Sequence, residues 1–322
     1  MIKRYAESTS VHLQPEVAEI CFNTSYFKMK MKLMIGIVLA LLSAATSGLS
    51  VVLVRRHSAG SNVFNMSLVI TVVGMIILWP LAIASPELGA ISLEGFMLFA
   101  VSGVFSPGIV RLFYYKGLKT LGASVNSSIF AVYPLYSALL AVFLLSEILS
   151  VWNALGIMAI LLGVVFVEMS SRNENNGQGK AGWKTLVFPI LGGLTLGVSS
   201  IVRKYALDLC NTPILGVAIA YAFSLLPYVF ILAVSVPTRK DLALKQDFRW
   251  FWIAGVGQAV SWTLAFYALS FELVAVTTPL FSVEPLFVAL FAFFYLRELE
   301  QVSPKLVASI VLTVFGVVLV AL

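Results

Sequence analysis

The chain has 322 residues, 60% of them hydrophobic and only 11% charged. Its mean hydropathy of +0.98 excludes an ordinary soluble domain. The pI near 9.3 comes from 21 Lys and Arg that sit almost entirely in short gaps between apolar runs. They read as topological anchors, and no nucleic-acid partner is expected.

Several stretches of about 20 residues carry almost no charge, the length a helix needs to cross a hydrocarbon core of ~30 Å. The alternating segments of about ten residues that mark a β-barrel are missing. The expected fold class is therefore an all-α integral membrane protein. Residues 1–30 form a polar N-terminal extension, with no apolar core that would make it a signal peptide. The run KMKMKLMIGIV from Lys28 leads into the first helix, and Met29 or Met31 is a candidate translation start.

Ten transmembrane helices are expected at roughly 33–54, 64–84, 94–115, 122–146, 150–170, 185–206, 213–235, 249–270, 273–296 and 303–322. The Asn-, Gly- and charge-rich segment 171–184 is a linker that divides the chain into 31–170 and 185–322, five spans each. A second polar gap, 237–249, separates spans seven and eight. Cys21 and Cys210 have no metal or redox spacing and form no disulfide framework.

The run AVTTPLFSVEPLFVALFAFFYLRELE from Ala275 has a degenerate copy 151 residues earlier, SVNSSIFAVYPLYSALLAVFLLSEIL from Ser124. Glu284-Pro285 falls on Tyr133-Pro134, Glu298 on Glu147 and, after a small length difference, Gly316 on Gly163. Because each half has an odd number of spans, the second enters the membrane with opposite polarity. The halves are thus expected to form an inverted repeat about an axis in the membrane plane. Apart from Arg111, seven Lys and Arg fall on the side of the N-terminus and thirteen on the other, which leans towards both termini lying outside.

This pattern resembles the drug/metabolite transporter superfamily, and within it the ten-helix EamA-type permeases. The residues that carry the likeness are Phe266-Tyr267-Ala268-Leu269, Pro285 and Glu298, with Tyr115, Pro134 and Glu147 in the first half. The resemblance implies a central cavity surrounded by the first, third and fourth helices of each half. The second helices would flank it and the fifth lie at the periphery. It also implies cytoplasmic termini, against the charge count, and a multi-pass location in the plasma membrane.

Two charges lie well inside apolar runs. Glu284, near the middle of span nine, is a candidate for cargo recognition or proton relay; poor solvation would raise its pKa, and the bland alternative is packing. Arg111 either snorkels to the nearby interface or presents a guanidinium fork to a carboxylate or phosphate in the cavity. Its counterpart in the second half is Trp262, which predicts a cation on one side and an aromatic on the other.

Pro134 and Pro285 are candidate hinges, each freeing the carbonyl four residues earlier, at Phe130 and Phe281. Ser106-Pro107-Gly108 should loosen span three in the same way. Further candidate binding residues are Asn126 and Thr277 at the starts of matched helices, and Gln258, which could share a face with Ser261 and Trp262. Tyr114 and Tyr133 would supply amphipathic walls. Glu147 and Glu298 read as water-exposed acids at helix ends. Small residues one heptad apart, Gly156 with Gly163 and Ser309 with Gly316, allow close helix approach, either within the chain or in a homodimer.

Spans one and six hold no acid of the kind that the small multidrug resistance proteins use for proton exchange. There is no HExxH motif, P-loop or metal cluster, so no cofactor is expected. The expected function is non-enzymatic: a secondary permease working by alternating access in the lipid bilayer. Its small-molecule cargo would be an amino acid or related amphipathic metabolite, moved outward. The alternatives are a sugar-phosphate or nucleotide-sugar exchanger and, from another class, a membrane enzyme or sensor.

Overall fold

The computed structural model describes residues 15–57, 61–121, 130, 133–170, 183–235, 244–295 and 304–321, which are helical almost throughout and include no strand. Asn126, Glu298 and most of the 171–184 linker lie outside the described residues. Among those described, helices occupy all ten expected positions. Passage one is α1 (Pro15–His57) and passage two α2 (Val63–Ala84). Passage three comprises α3 (Leu93–Gly103), a π-helical stretch (Val104–Ile109) and α4 (Val110–Leu121). Passages four, five and six are α5 (Tyr133–Leu144), α6 (Val151–Ser170) and α7 (Trp183–Cys210). Passage seven is α8 (Pro213–Phe223) with α9 (Leu226–Val234), and passage eight is α10 (Leu244–Phe271). Passage nine is α11 (Val274–Phe281) with α12 (Glu284–Tyr295), and passage ten is α13 (Pro304–Ala321).

Six of these, passages one to three and six to eight, are long and apolar enough to cross a membrane; the fourth and fifth of each half are shorter apolar helices. The division follows the repeat. Several helices overrun their expected ends, passages one and six among them. Passage one begins at Pro15, and its 43 residues span about 64 Å, so its first turns project beyond a bilayer core. Passage six continues past 206 to Cys210 and so takes Arg203 and Lys204 into the body of a helix.

Among the described residues three passages are broken, and each break has a local cause. In passage three, Ser106 has extended rather than helical backbone angles (φ −144°, ψ 121°), and Pro107 has no N–H to offer the preceding turn. Passage seven turns at Ser224-Leu225 before Pro227. Passage nine turns at Ser282-Val283, where the Ser282 hydroxyl donates to the Pro279 carbonyl at 2.7 Å. Pro285 is then the second residue of α12, where a helix has an unused N–H to lose, rather than inside a continuous helix.

The halves interdigitate rather than sit side by side. Passage one packs on passages eight and nine, and passage six packs on three and four, the same arrangement with the halves exchanged. Gly48 makes the first approach possible: a Cβ there would lie 2.9 Å from Phe287 Cβ and 3.1 Å from Val288 N. Gly197 makes the second, 3.4 Å from both Tyr136 Cβ and Ser137 N, and the repeat pairs these residues with Phe287 and Val288. The fifth passages pack on each other, with Gly156 facing Gly316: a Cβ on either would be 2.8 Å from the other's carbonyl oxygen. The glycine seam is thus occupied within the chain. Leu162, Phe166, Val311 and Phe315 turn outward from this pair, as apolar side chains do against lipid.

Candidate functional site

A cavity of about 210 Å³ lies where the two halves meet. Among the described residues its wall comes from passages one, three, four, six, eight and nine, the first, third and fourth of each half. Of the sequence candidates, Arg111, Tyr114, Tyr133, Gln258, Trp262 and Glu284 line it. Thr277 does not; it is buried in the first turn of α11, and its hydroxyl donates to the Leu273 carbonyl at 3.0 Å. Asn126 lies outside the described residues, as does the side chain of Pro285, whereas Pro134 is buried beside Tyr133.

Glu284 is the first residue of α12, so the break before it puts the carboxylate at the positive end of a helix dipole. Its Oε2 accepts a hydrogen bond from Ser47 Oγ at 2.8 Å, and Gln258 Nε2 donates to the same Ser47 oxygen at 3.1 Å. Deeper in, Ser43 and Ser261 exchange hydroxyl-to-carbonyl bonds of 2.8 and 2.9 Å. One face of passage eight therefore presents Gln258, Ser261 and Trp262 together, as the spacing predicts, and passage one answers it with serines.

Arg111 does not snorkel. It is buried, with Nη1 donating to Thr71 Oγ1 at 2.6 Å and Nη2 to Tyr221 OH at 3.4 Å, and its guanidinium lies 5.7 Å from the Tyr221 ring centre. Thr71 and Tyr221 belong to passages two and seven, so the flanking helices hold a charge that the lining helix presents. An aromatic edge follows along the wall: Tyr114 meets Phe130 at 4.9 Å between ring centres, and Phe130 meets Tyr133 at 5.8 Å. The Tyr133 hydroxyl donates to the Thr278 carbonyl at 3.1 Å, tying passage four to passage nine.

Arg203 is a cavity-lining residue that the sequence pattern presents as an anchor. It is 2% exposed and lines the cavity. Its guanidinium lies over Trp262 at 4.6 Å and Phe266 at 4.7 Å, so the aromatic expected opposite Arg111 carries a second cation of its own. One nitrogen, Nη2, donates to the Ser106 carbonyl and to Ser199 Oγ, both at 3.3 Å. Among the described residues its Nε and the nearby Ser106 Oγ have no hydrogen-bond partner. A buried polar atom left in that state is unfavourable by about 1–3 kcal/mol. The available signal lay in the neighbours: Lys204 has Asp208 one turn on and bonds it at 2.9 Å, whereas Arg203 has Leu207 at that place.

Glu147, expected in water at a helix end, instead ties the two halves together. It is buried, and its two carboxylate oxygens accept from Val274 N at 2.8 Å and Ala275 N at 3.0 Å. An acid at the end of passage four thereby caps the first turn of α11 in the opposite half. Burial pushes this carboxyl above its ordinary range, against the pull of the two N–H donors; burial does the same to Glu272 close by. Lys204 Nζ donates to the Leu269 carbonyl at 3.0 Å in the same layer.

Comparison with known proteins agrees with this architecture. A solved crystal structure superposes with a TM-score of 0.66 over 91% of this chain and 98% of its own, at 15% identity, which speaks for the fold. An uncharacterized transporter of Clostridium kluyveri is 26% identical over 146 residues, a match that spans 44% of this chain and 47% of that protein. The model of the EamA-like transporter family matches twice, over residues 34–169 and 183–322. Matched through both of its halves, this multi-pass membrane chain belongs to the EamA-like transporter family.

Proposed function

We propose that this transporter carries a small amphipathic metabolite, an amino acid or close derivative, outward across the plasma membrane by alternating access. The observation that carries the reading is the cavity: an acid, two guanidinium groups and a row of aromatics face one space between the inverted halves. Ionisable groups at mid-depth are expensive in a membrane and belong by default to a cargo or proton path. The broken passages three and nine supply joints beside that space, and Glu147 ties passage four to passage nine. Transport then consists of exchanging which end is closed, with the cargo held against residues from both halves.

Glu284 is the residue assigned to proton coupling. In proteoliposomes, Glu284→Gln is expected to abolish the dependence of flux on a pH gradient while the protein still inserts. Unchanged dependence would reduce the Glu284–Ser47–Gln258 chain to packing. A second reading, exchange of sugar phosphates or nucleotide sugars, gains from the presence of Arg203 beside Arg111, since two forks suit a phosphate better than one.

A further inference from the structure

We propose that Arg203, together with the Ser106 hydroxyl, is the carboxylate anchor of the cavity. This rests on the cavity being the cargo site and deepens that reading. Arg203 is a permanent cation, buried in the protein, and among the described residues no carboxylate lies within ion-pair distance of it. The Trp262 and Phe266 faces stabilise the charge without neutralising it. Of its donors, Nη2 is shared between two weak acceptors at 3.3 Å, while Nε has none. Ser106, whose carbonyl takes one of those bonds, keeps its own hydroxyl unpaired at the break in passage three. Unused guanidinium N–H and one O–H beside an uncompensated cation ask for a small anion with two acceptor oxygens.

The rest of the wall selects among anions. Arg111 is held by Thr71 and Tyr221, so Arg203 is the guanidinium left with an unused donor among the described residues. Tyr133 stands within electrostatic reach of both Arg203 and Glu284, so a cation and an acid border the same stretch of the cavity wall. A carboxylate at Arg203 leaves room for an ammonium group on the Glu284 side. A phosphate dianion would bring two charges towards that acid. The ligand class is therefore a monocarboxylate, and among metabolites an α-amino acid matches both ends.

The test uses the purified full-length chain, its thermal unfolding followed with five probes at millimolar concentration. These are L-leucine, 4-methylpentanoate, 3-methylbutylamine, leucinamide and inorganic phosphate; a ligand that binds the native form raises the unfolding midpoint. The two carboxylates are expected to act at about tenfold lower concentration than the amine and the amide, the effect of a charge-assisted hydrogen bond. Arg203→Lys keeps the charge but loses Nε and the planar stack, and is expected to bring that preference within about threefold. Ser106→Ala, which removes one hydroxyl, should weaken the preference in the same direction and keeps the test standing if Arg203→Lys does not fold. Equal action of acid and amide on the wild type, or an unchanged preference in either variant that folds, overturns the anchor. So does phosphate acting at lower concentration than the carboxylates, which would favour the organic-phosphate reading. Flux of the amine without any response to carboxylates overturns the anchor but leaves a metabolite carrier. No response and no proteoliposome flux with any probe overturns the anchor and the cargo reading together.

Discussion

Arg111 is a buried charge whose position depends on two hydroxyls from other helices, Thr71 and Tyr221. A charge-assisted hydrogen bond of this kind contributes about 1.5–3 kcal/mol. Thr71→Val keeps the shape of the side chain and removes the acceptor. It is expected to lower stability by roughly that amount, read as a fall in the unfolding midpoint in detergent, with the protein still inserted. A variant as stable as the wild type would mean that the guanidinium finds another partner. At this scale the sequence was legible where a charge interrupts a long apolar run, as at Glu284 and Arg111, and where polar side chains share a helical face, as at Gln258, Ser261 and Trp262. Arg203 escaped because it sits beside Lys204 near the end of a run, where a basic pair reads as an anchor. Thr277 lies off the cavity wall, and a helix that is apolar all round does not announce which face turns inward.

At the scale of the element, apolar run length foretold where helices fall along the chain, and Pro285 marked where one of them begins. What pattern could not give was the partner of each helix end. Glu147 follows α5 in sequence but caps α11, and nothing local links them. That pairing makes a pH prediction. Burial raises the folded-state pKa of Glu147 above its ordinary 4.5, so the folded protein holds this proton more tightly than the unfolded chain. Its contribution to stability is therefore greatest below pH 4.5 and is lost as pH rises through the folded value. Glu272 and Glu87 add slopes of the same sign. Glu147→Gln removes the ionisation and leaves the other two. Measured from pH 4 upward, the unfolding midpoint of the variant should fall less steeply than that of the wild type; parallel curves would show that Glu147 ionises in the fold as it does in water.

The family model matches each half of the molecule once, yet the halves do not meet equally. Gly48 lies against passage nine so closely that a Cβ would be 2.9 Å from Phe287 Cβ and 3.1 Å from a backbone nitrogen, while its counterpart Gly197 has 3.4 Å to passage four. In the proposed cycle the halves exchange roles, so the tighter of these contacts belongs to one state and the looser to the other. Overpacking a close helix contact by one methyl is unfavourable by about 1–3 kcal/mol, which corresponds to roughly a five- to hundredfold change in population. Gly48→Ala should therefore disfavour the conformation in which Glu147 caps α11, and Gly197→Ala should disfavour its mirror state. The measurement is alkylation of a single cysteine introduced at Ser43, in a background without Cys21 and Cys210, by an impermeant reagent added to either face of the membrane. The two glycine variants are expected to move labelling in opposite directions. If both slow labelling from the same face, the two contacts do not alternate, and the pseudo-symmetry of the fold is a record of duplication rather than a working part of the carrier.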